Sequence, residues 1–505
     1  MMYLKKALAL IILVLPLSLQ AQNTSLKTRI DQAVVLIKSG KYLDAAEGLL
    51  ALSKEPNIEI SKARIKYLLG LSLMELNLNQ TSAFQFVEVI RSGDSTWTKP
   101  AIEKLLIVTD RLGDETLLNF AIQRVEISQI PANNREMLYY RLAEIKHKAG
   151  LNKDAIEYYG KITPQSRYYY NALYNMGLAQ AEDNQTELAL QTFKRLLNSR
   201  SKARVTDTNR VTAQMAIART YYQRQEWNKS IEAYSKIPRD HNLWHAALFE
   251  STWAMLRAAR FRSTLSNFQT LHSSYYDDAY LPETLLLRAI VYLYICQYDE
   301  MEKVLGLYEN QYGPALKKLT PFIENTNLDI FYQEIAKTFQ MKSNPESRQK
   351  FAIPYNLLKH VADEGDVRRT YAYIKKINDE KKMVEESGSL RNSTVGSYAS
   401  RVLTTRISSA KSTLGEQVKY HLTSIKSELN DLSEQSGFIR YEMINGRKEI
   451  LKKKIEGKSI KGSLAGNSQD RSFYIQNGYE FYPFQGEYWL DEVGNYHYLG
   501  KQSCE

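Results

Sequence analysis

Between residues 137 and 197 the pattern of apolar and polar positions repeats with a period of 34 residues (177 − 143 = 34). The residue pairs at this step are Ala143 and Gly177, Ala155 and Ala189, and Tyr159 and Phe193. Each block therefore has a small residue, a second small residue twelve positions later, and an aromatic ring four positions after that. Small residues let two helices approach closely, and residues four apart share a helix face. The pattern predicts a helical hairpin that occurs twice.

The same marks continue in both directions, from residue 25 to about residue 315. The small or slender residues of the second helices are Ala45, Ala83, Ala121, Ala155, Ala189, Ser230, Thr264 and Met301. The large apolar residues four positions later are Leu49, Val87, Val125, Tyr159, Phe193, Tyr234, Phe268 and Leu305. About eight hairpins are predicted, and a row of hairpins that each contact only their neighbours forms a solenoid.

A period near 34 residues with these marks resembles the tetratricopeptide repeat family, most clearly between residues 137 and 240. The resemblance implies a right-handed superhelical solenoid whose inner groove holds a peptide or a helix of another protein, and it implies no catalysis. We therefore expect an all-α fold over residues 25–315, followed by a helical region with a long coiled-coil-like helix and a small aromatic β-hairpin tail.

Helix geometry predicts which side chains line this groove. The stripe that lies about 80° around each first helix from its small residue should face inward. In the clearer units it consists of Tyr140, Tyr174, Arg219, Tyr222, Phe249, Trp253, Arg257 and Tyr294. Aromatic and arginine side chains are typical anchors of protein interfaces, so we interpret the stripe as the partner-binding surface. The alternative for each residue is that it only packs against the next hairpin.

After residue 315 the period is lost. Residues 316–383 are expected to form irregular helices with breaks at Pro321, Pro345 and Pro354, and residues 386–397 a loop. A long helix or helical hairpin is predicted for residues 398–456. Its apolar seam consists of Leu414, Val418, Leu422, Ile425, Leu429, Leu432, Ile439 and Ile450. The seam can pair with a second copy or pack back on the solenoid, and its interruption at residues 435–437 favours packing back, in a monomer.

The first 21 residues predict export. Lys5 and Lys6 precede an apolar run that ends at Ala21, a pattern typical of a cleavable signal peptide, although an uncleaved anchor is the alternative. No cysteine follows the run, which excludes a bacterial lipoprotein anchor. We therefore predict a periplasmic protein, free or associated with the inner face of the outer membrane, and exclude nucleic acid as its partner.

Residues 471–505 are rich in aromatic side chains. Turn signals at residues 477–478 and 493–495 predict two β-hairpins. This tail is similar to the C-terminal segment of secreted tetratricopeptide proteins of predatory and gliding deltaproteobacteria, some of which are connected with envelope-spanning gliding machinery. The matching residues are Pro483, Phe484, Gly486, Glu487, Tyr488, Trp489, Asp491, Glu492 and Cys504.

The charge of the chain favours an anionic neighbour. The formal net charge is +11 and the pI is about 9.1, which suits a phospholipid surface, lipid A, an acidic polysaccharide or an acidic protein. Residues 440–461 carry eight basic and three acidic side chains, with Lys452, Lys453 and Lys454 at the centre. This run is either a solvated helix end or a contact with an anionic membrane or the cell wall.

No motif indicates catalysis. The sequence lacks a phosphate-binding glycine loop, a Gly-x-Ser-x-Gly motif and a His-Glu-x-x-His motif, so we predict no catalytic residue, no cofactor and no metal. His241 and His245 share a helix face, but only Asp240 or Glu250 could join them as a ligand, and a metal site needs at least three ligands.

The chain has two cysteines, and an oxidising periplasm permits a disulfide between them. If the tail folds back to cap the open end of the solenoid, Cys504 comes close to Cys296 in the last hairpin. The alternative is a buried Cys296 and a free C-terminal Cys504.

Two functions remain open from the sequence. The first is an exported scaffold for protein–protein interactions in a cell-envelope complex, with a role in motility or envelope assembly. The second is a peptidoglycan or polysaccharide binder that uses aromatic faces of the tail. The tail residues proposed for stacking are Tyr479, Tyr482, Tyr488, Trp489, Tyr496 and Tyr498.

Overall fold

The structure is a computed structural model of the 505-residue chain. It describes residues 26–114, 116–122, 125, 134–199, 207–341, 351–456 and 489–498. The chain divides into two compact units, one formed by Met1–Arg135 and Gly365–Gln417, the other by Glu136–Glu364 and Val418–Glu505. The described residues form helices and no strand, which confirms the all-α prediction for them. None of these helices combines the length and apolar character that a bilayer crossing requires.

Antiparallel helical hairpins make up the first part of each unit. The first unit holds three: α1 (residues 26–38) with α2 (Tyr42–Leu52), α3 (Lys62–Glu75) with α4 (Asn79–Ser92), and α5 (Thr98–Leu112) with α6 (Thr116–Ile122). The second unit holds five: α7 (Arg135–Lys148) with α8 (Asn152–Gly160), α9 (Tyr169–Glu182) with α10 (Thr186–Leu197), α11 (Asp207–Gln223) with α12 (Trp227–Ser235), α13 (Trp244–Arg257) with α14 (Phe261–Leu271), and α15 (Pro282–Tyr294) with α16 (Tyr298–Asn325). We number these hairpins 1 to 8.

The same turn joins the two helices of almost every hairpin. In seven of the described hairpins the backbone N–H three residues past the end of the first helix donates to the carbonyl five residues earlier, as Gln185 does to Gln180 over 2.8 Å. The residue before that donor has a positive φ. These left-handed residues are Gly40, Asn77, Gly150, Asn184, Gln225, Ala259 and Cys296. This is the Schellman arrangement, which satisfies free carbonyls at the end of a helix.

Small residues hold the two helices of a hairpin together, as predicted. A Cβ on Gly177 would lie 2.5 Å from Cε1 of Phe193, so this ring occupies the space that the glycine leaves. In hairpin 2 the equivalent contact joins Gly70 and Phe86, with a Cβ distance of 2.8 Å. Ser82 Oγ donates to the Gly70 carbonyl over 2.7 Å. The predicted marks Ala83 and Val87 were therefore one position late, because a buried serine with a bonded hydroxyl serves as the small residue.

Three further helical segments complete the first unit. They are α19 (Gly365–Glu386), α20 (Gly388–Arg391) and the start of the long helix α21 (Thr394–Ile455), which continues into the second unit. The loop predicted for residues 386–397 is mostly helical, since Ser387 caps α20 by accepting from the Leu390 N–H. Tyr398 on α21 accepts a hydrogen bond of 2.8 Å from Gln85 on α4.

Prolines do not break the helices of the second unit where the sequence suggested. Helix α16 continues through Pro314 and Pro321 to Asn325. Its inward face is buried on both sides of Pro321, at Leu319 and Ile323, so tertiary packing outweighs the lost backbone hydrogen bonds. Two more helices follow, α17 (Leu328–Gln340) and α18 (Tyr355–Asp363), and Pro354 directly precedes α18 as expected. Pro345 lies outside the described residues.

The second part of α21 packs antiparallel to α16 within the same chain. Lys426 pairs with Glu324 over 3.0 Å, Arg440 with Glu309 over 2.7 Å, and Arg447 with Asp299 over 2.8 Å. The seam residues from Val418 to Ile439 are buried, and Ile450 is half-buried. The interruption at residues 435–437 is filled by Ser436, which is buried, and the seam continues at Met443. It therefore packs back on the hairpin array, as favoured above.

The described part of the tail, residues 489–498, contains a turn and no strand. The Val493 N–H donates to the Trp489 carbonyl over 3.2 Å, so this stretch coils where the second β-hairpin was predicted. The first predicted hairpin lies outside the described residues. Val493 is buried in the core of hairpins 5 to 7, and the Gly494 N–H donates to Thr270 Oγ1 on α14 over 3.0 Å.

The capping prediction stays a prediction, because Cys504 and the end of the tail lie outside the described residues. The described tail residues lie on α13, α14 and α15. The last hairpin is instead covered along α16 by α21.

Candidate functional site

The predicted partner-binding residues all lie on the first helices of hairpins 4 to 8, in the second unit. Tyr140 is on α7, Tyr174 on α9, and Tyr294 on α15. The other members are Arg219 and Tyr222 on α11 and Phe249, Trp253 and Arg257 on α13. We call these eight residues the first-helix stripe.

Arg219 is the cation of the first-helix stripe that is paired with a carboxylate. Its Nε and Nη2 donate to the two carboxylate oxygens of Glu250 on the next first helix, over 2.7 and 2.6 Å. Tyr234 on α12 donates to Glu250 Oε2 over 2.8 Å. About half of the Arg219 side chain stays exposed. A bidentate pair of this kind fixes the guanidinium plane.

Burial and charge around this pair keep the neighbouring tyrosines protonated. Burial and the nearby Glu250 carboxylate both raise the pKa of the Tyr234 phenol. Burial also raises the pKa of Tyr174, and Glu250 adds to this effect while Arg219 opposes it. Both hydroxyls are therefore hydrogen-bond donors at every physiological pH, and neither is a base.

A repeated contact links consecutive hairpins at one edge of the first-helix stripe. The last residue of a first helix lies over an aromatic ring, which belongs to the first residue of the second helix in the preceding hairpin. Arg257 lies over the Trp227 ring at 5.6 Å, and Tyr294 stacks on Phe261 at 5.4 Å. Tyr222 meets the edge of the same Trp227 ring at 5.0 Å. Arg257 and Tyr294 thus pack between hairpins, and Tyr222 packs within its own, yet Arg257 is exposed and Tyr294 keeps 59% of its surface exposed.

The remaining members differ in how open they are. Phe249 and Trp253 are half-buried, and Trp253 is hydrogen-bonded to Glu283 on α15, which opposes the raised pKa that burial gives Glu283. Tyr140 is only 7% exposed, and its hydroxyl accepts from Asn175 over 3.2 Å. Tyr140 therefore stabilises hairpins 4 and 5 and is not accessible to a partner.

The sequence did not identify the carboxylates that organise the first-helix stripe. Each accepts a hydrogen bond from a stripe residue on the preceding first helix: Glu250 from Arg219, and Glu283 from Trp253. The signal was present in the spacing, because Arg219 and Glu250 are 31 positions apart, close to one repeat. The result is a row of aromatic rings, hydrogen-bonded carboxylates and one ion-paired arginine, a composition that can bind a peptide.

The two histidines considered as metal ligands have other contacts. His241 Nδ1 accepts from the Leu243 N–H over 3.1 Å. The His245 ring lies 5.9 Å from the Tyr276 ring, and burial lowers the pKa of His245. The first contact lies in the turn before α13, and the second joins α13 to the segment that follows α14.

The described residues cover only part of the disulfide and tail predictions. Cys296 is half-buried, has a φ of 56° at the turn of hairpin 8 and is disulfide-bonded. Cys504 lies outside the described residues, so its pairing with Cys296 stays a prediction. Trp489 is exposed, Tyr496 and Tyr498 are half-buried, and Tyr488 lies outside the described residues.

Comparison with known proteins does not assign a family. No family model matches the chain, and no curated protein matches it. Among solved structures, a tetratricopeptide repeat protein from Parabacteroides merdae ATCC 43184 is 16% identical, with 57% of this chain and 93% of that chain covered and a TM-score of 0.26. A Rap protein complexed with competence and sporulation factor is 10% identical, with 78% and 99% covered and a TM-score of 0.28. TM-scores this low support no conclusion, so the hairpin fold rests on the contacts described above.

Proposed function

We propose that this protein is a scaffold for protein–protein interactions and that the first-helix stripe of hairpins 5 to 8 binds a peptide or helix of its partner. The observation that carries the proposal is Arg219, held in a bidentate pair by Glu250 yet half exposed. Its helix α11 lies in the chain between first helices that carry Tyr174 and Phe249. An oriented guanidinium among aromatic side chains is the usual composition of an interface hot spot.

The cellular setting of the proposal comes from the sequence. The basic and apolar start of the chain supports export, and the tail residues support a role in a cell-envelope complex concerned with motility or envelope assembly. We place the protein in the periplasm or at the inner face of the outer membrane. Its partners are accordingly other envelope proteins.

Site-specific photocrosslinking in the source cells tests this proposal. A photoreactive amino acid replaces Arg257 in the stripe, or Leu188 on α10 as a control of similar accessibility outside it. We expect a discrete crosslinked species from position 257 that is absent from position 188. No crosslink at position 257, or the same species from both positions, contradicts the proposal. Fractionation of the same cells tests the envelope location separately.

Binding of peptidoglycan or polysaccharide by the tail is our second proposal. Trp489 favours it, because this ring is 60% exposed at the start of the docked segment. Tyr498 does not, because its N–H donates to Ser266 Oγ over 3.1 Å and its ring meets Tyr292 at 6.4 Å. Retention of the protein on purified sacculi, lost with Trp489→Ala, is the expected result if the tail is a wall binder.

A further inference from the structure

The last turns of α21 carry a second apolar face that the sequence analysis did not identify. Besides the seam that packs on α16, four large side chains point to solvent: Tyr441 is 61% exposed, Ile444 55%, Leu451 58% and Ile455 85%. Phe438, one turn earlier, is 73% exposed. Single exposed apolar residues are ordinary, but a row of them on one helix indicates an interaction surface.

The spacing of this face is that of a coiled-coil seam. Positions 441, 444, 448, 451 and 455 follow steps of three, four, three and four, with Lys448 as the one polar member. At about 100° per residue they span only about 80° of the helix circumference. The α16-facing residues Ile439, Met443 and Gly446 lie on the other side, where Gly446 meets the Tyr298 ring. We call positions 441, 444, 448, 451 and 455 the outer seam.

The width of the outer seam favours a helix over a membrane as its occupant. A strict heptad stripe is narrow and pairs with one other helix. A helix that lies in a bilayer interface has a wider apolar face, into which acyl chains pack on both sides. Here the circumference next to the outer seam is charged, with Lys452 on one side and Lys454 on the other.

The charges that flank the outer seam select the kind of helix. Lys452 and Lys454 are exposed, and Lys448 lies within the seam itself. Glu442 and Glu449 lie farther around the helix, beyond Lys452, about 80° to 100° from the near edge of the seam. A second copy would bring lysines against lysines, and like charges at flanking positions disfavour pairing. A helix with acidic flanks would instead form ion pairs with these lysines.

We infer that the outer seam binds an amphipathic helix of another protein, one with apolar residues at heptad spacing and acidic residues beside them. This surface is separate from the first-helix stripe and adds a second partner site to the proposed scaffold. Loss of binding at one surface is therefore distinguishable from loss at the other.

The test measures binding of a labelled synthetic helix to the full-length mature protein by fluorescence anisotropy. The probe is a three-heptad peptide with Leu at the seam positions and Glu at the flanking positions. The matched peptide has Lys in place of Glu. We expect the Glu peptide to bind at least tenfold more tightly than the Lys peptide, with an affinity that falls as salt is raised.

Three variants locate the site. Ile444→Ser with Leu451→Ser should weaken Glu-peptide binding at least tenfold, whereas Leu307→Ser, on an exposed position of α16, should leave it unchanged. Lys452→Glu with Lys454→Glu should reverse the preference between the two peptides. Because all these side chains are exposed, the variants should keep the unfolding temperature of the parent protein.

Four outcomes would overturn the inference. The first three are no binding of the Glu peptide, equal binding of both peptides, and binding that Leu307→Ser weakens as much as the seam variant does. The fourth is seam-dependent binding to phosphatidylglycerol vesicles without peptide binding, which would identify a membrane as the occupant.

Discussion

At the scale of single residues, the first unit contains a buried carboxyl group that no sequence pattern indicated. Glu380 on α19 is 6% exposed, and its Oε2 accepts from the Gln80 N–H at the start of α4 over 3.0 Å. Tyr373 donates to Gln80 Oε1, and Arg406 donates to the Tyr373 hydroxyl. Burial raises the pKa of Glu380 to about 7, although the backbone N–H groups of α4 act in the opposite direction.

This raised pKa predicts that unfolding depends on pH. In the unfolded chain the carboxyl titrates near its ordinary value of 4.5, so the folded state holds the extra proton between pH 4.5 and about 7. Stability is therefore lost as pH rises through this range, by up to about 3 kcal/mol. Glu380→Gln keeps an acceptor and removes the charge. In urea unfolding, its free energy of unfolding should equal that of the parent protein at pH 4.5 and exceed it at pH 8.

The control for this prediction is Glu59→Gln, because Glu59 has a side chain that is 80% exposed in the same unit. It should change the free energy of unfolding equally at both pH values. The prediction fails if the free energies of unfolding of the parent and of Glu380→Gln differ by the same amount at pH 4.5 and at pH 8. That result would show that Glu380 does not titrate in this range.

His272 predicts the opposite pH dependence in the second unit. Arg288 donates to its Nδ1 over 3.1 Å, so Nε2 carries the proton and donates to Thr284 Oγ1 over 2.8 Å. Burial, with a smaller effect from Arg288, lowers the pKa of His272 to about 3. The folded state therefore excludes a proton that the unfolded chain binds below its ordinary pKa of 6.5. Stability is present above pH 6.5 and is lost as pH falls toward 3.

His272→Gln tests this in the same unfolding assay. The amide can accept from Arg288 and donate to Thr284 but does not titrate. The variant should therefore have a lower free energy of unfolding than the parent at pH 7, because the ring is lost, and should lose less of it between pH 7 and pH 5. His360→Gln, at a half-exposed position, is the control and should follow the parent curve. Parallel curves for the parent and His272→Gln would be incompatible with a neutral buried imidazole.

At this scale the sequence predicted local contacts and missed distant ones. The pairing of Gly177 with Phe193 followed from a spacing of 16 residues. The contact of Glu380 with Gln80 joins residues 300 positions apart and has no periodic signal. The one-residue error in hairpin 2 arose because Ser82, whose hydroxyl is satisfied by Gly70, was not recognised as the small residue.

At the scale of elements, the docked tail rests on one glycine. Gly494 has a φ of 88°, and a Cβ there would lie 2.7 Å from the Trp244 ring. Both the left-handed backbone and the ring exclude a side chain. Gly494→Ala should therefore release residues 489–498 and expose the pocket of Val493.

Limited proteolysis measures this release. We expect cleavage near residue 493 to be at least tenfold faster in Gly494→Ala than in the parent, while Asp491→Ala, at an exposed position of the same segment, is cleaved at the parent rate. Equal cleavage of all three proteins would mean that the tail is not held by the Gly494 turn.

The sequence predicted helices better than their ends. The hairpins and the seam of α21 followed from apolar periodicity, which is a strong signal in long helices. Pro321 suggested a break that α16 does not have, because the helix is packed against α21 through Tyr308, whose hydroxyl donates to the Leu429 carbonyl over 3.2 Å. Proline penalties are local, whereas this packing depends on residues over one hundred positions away.

At the scale of the whole molecule, the packing of α21 predicts a monomer. Its main seam from Val418 to Ile439 is buried against its own chain and is therefore not available to a second copy. The basic flanks of the outer seam also disfavour self-pairing. Light scattering of the mature protein should give the mass of one chain at micromolar concentration, and twice that mass would contradict the prediction.

The central claim is that hairpins 5 to 8 bind a partner through the first-helix stripe. The most direct measurement is the affinity of the crosslinked partner, once identified, for the parent protein and for Tyr222→Ala with Trp253→Ala. Both side chains are half-buried and lie on neighbouring first helices, so truncation removes contact area and should keep the hairpins folded. We predict a loss of about 2 kcal/mol or more, roughly thirtyfold in Kd, with unchanged helical content. Unchanged affinity in a folded double variant would contradict the claim.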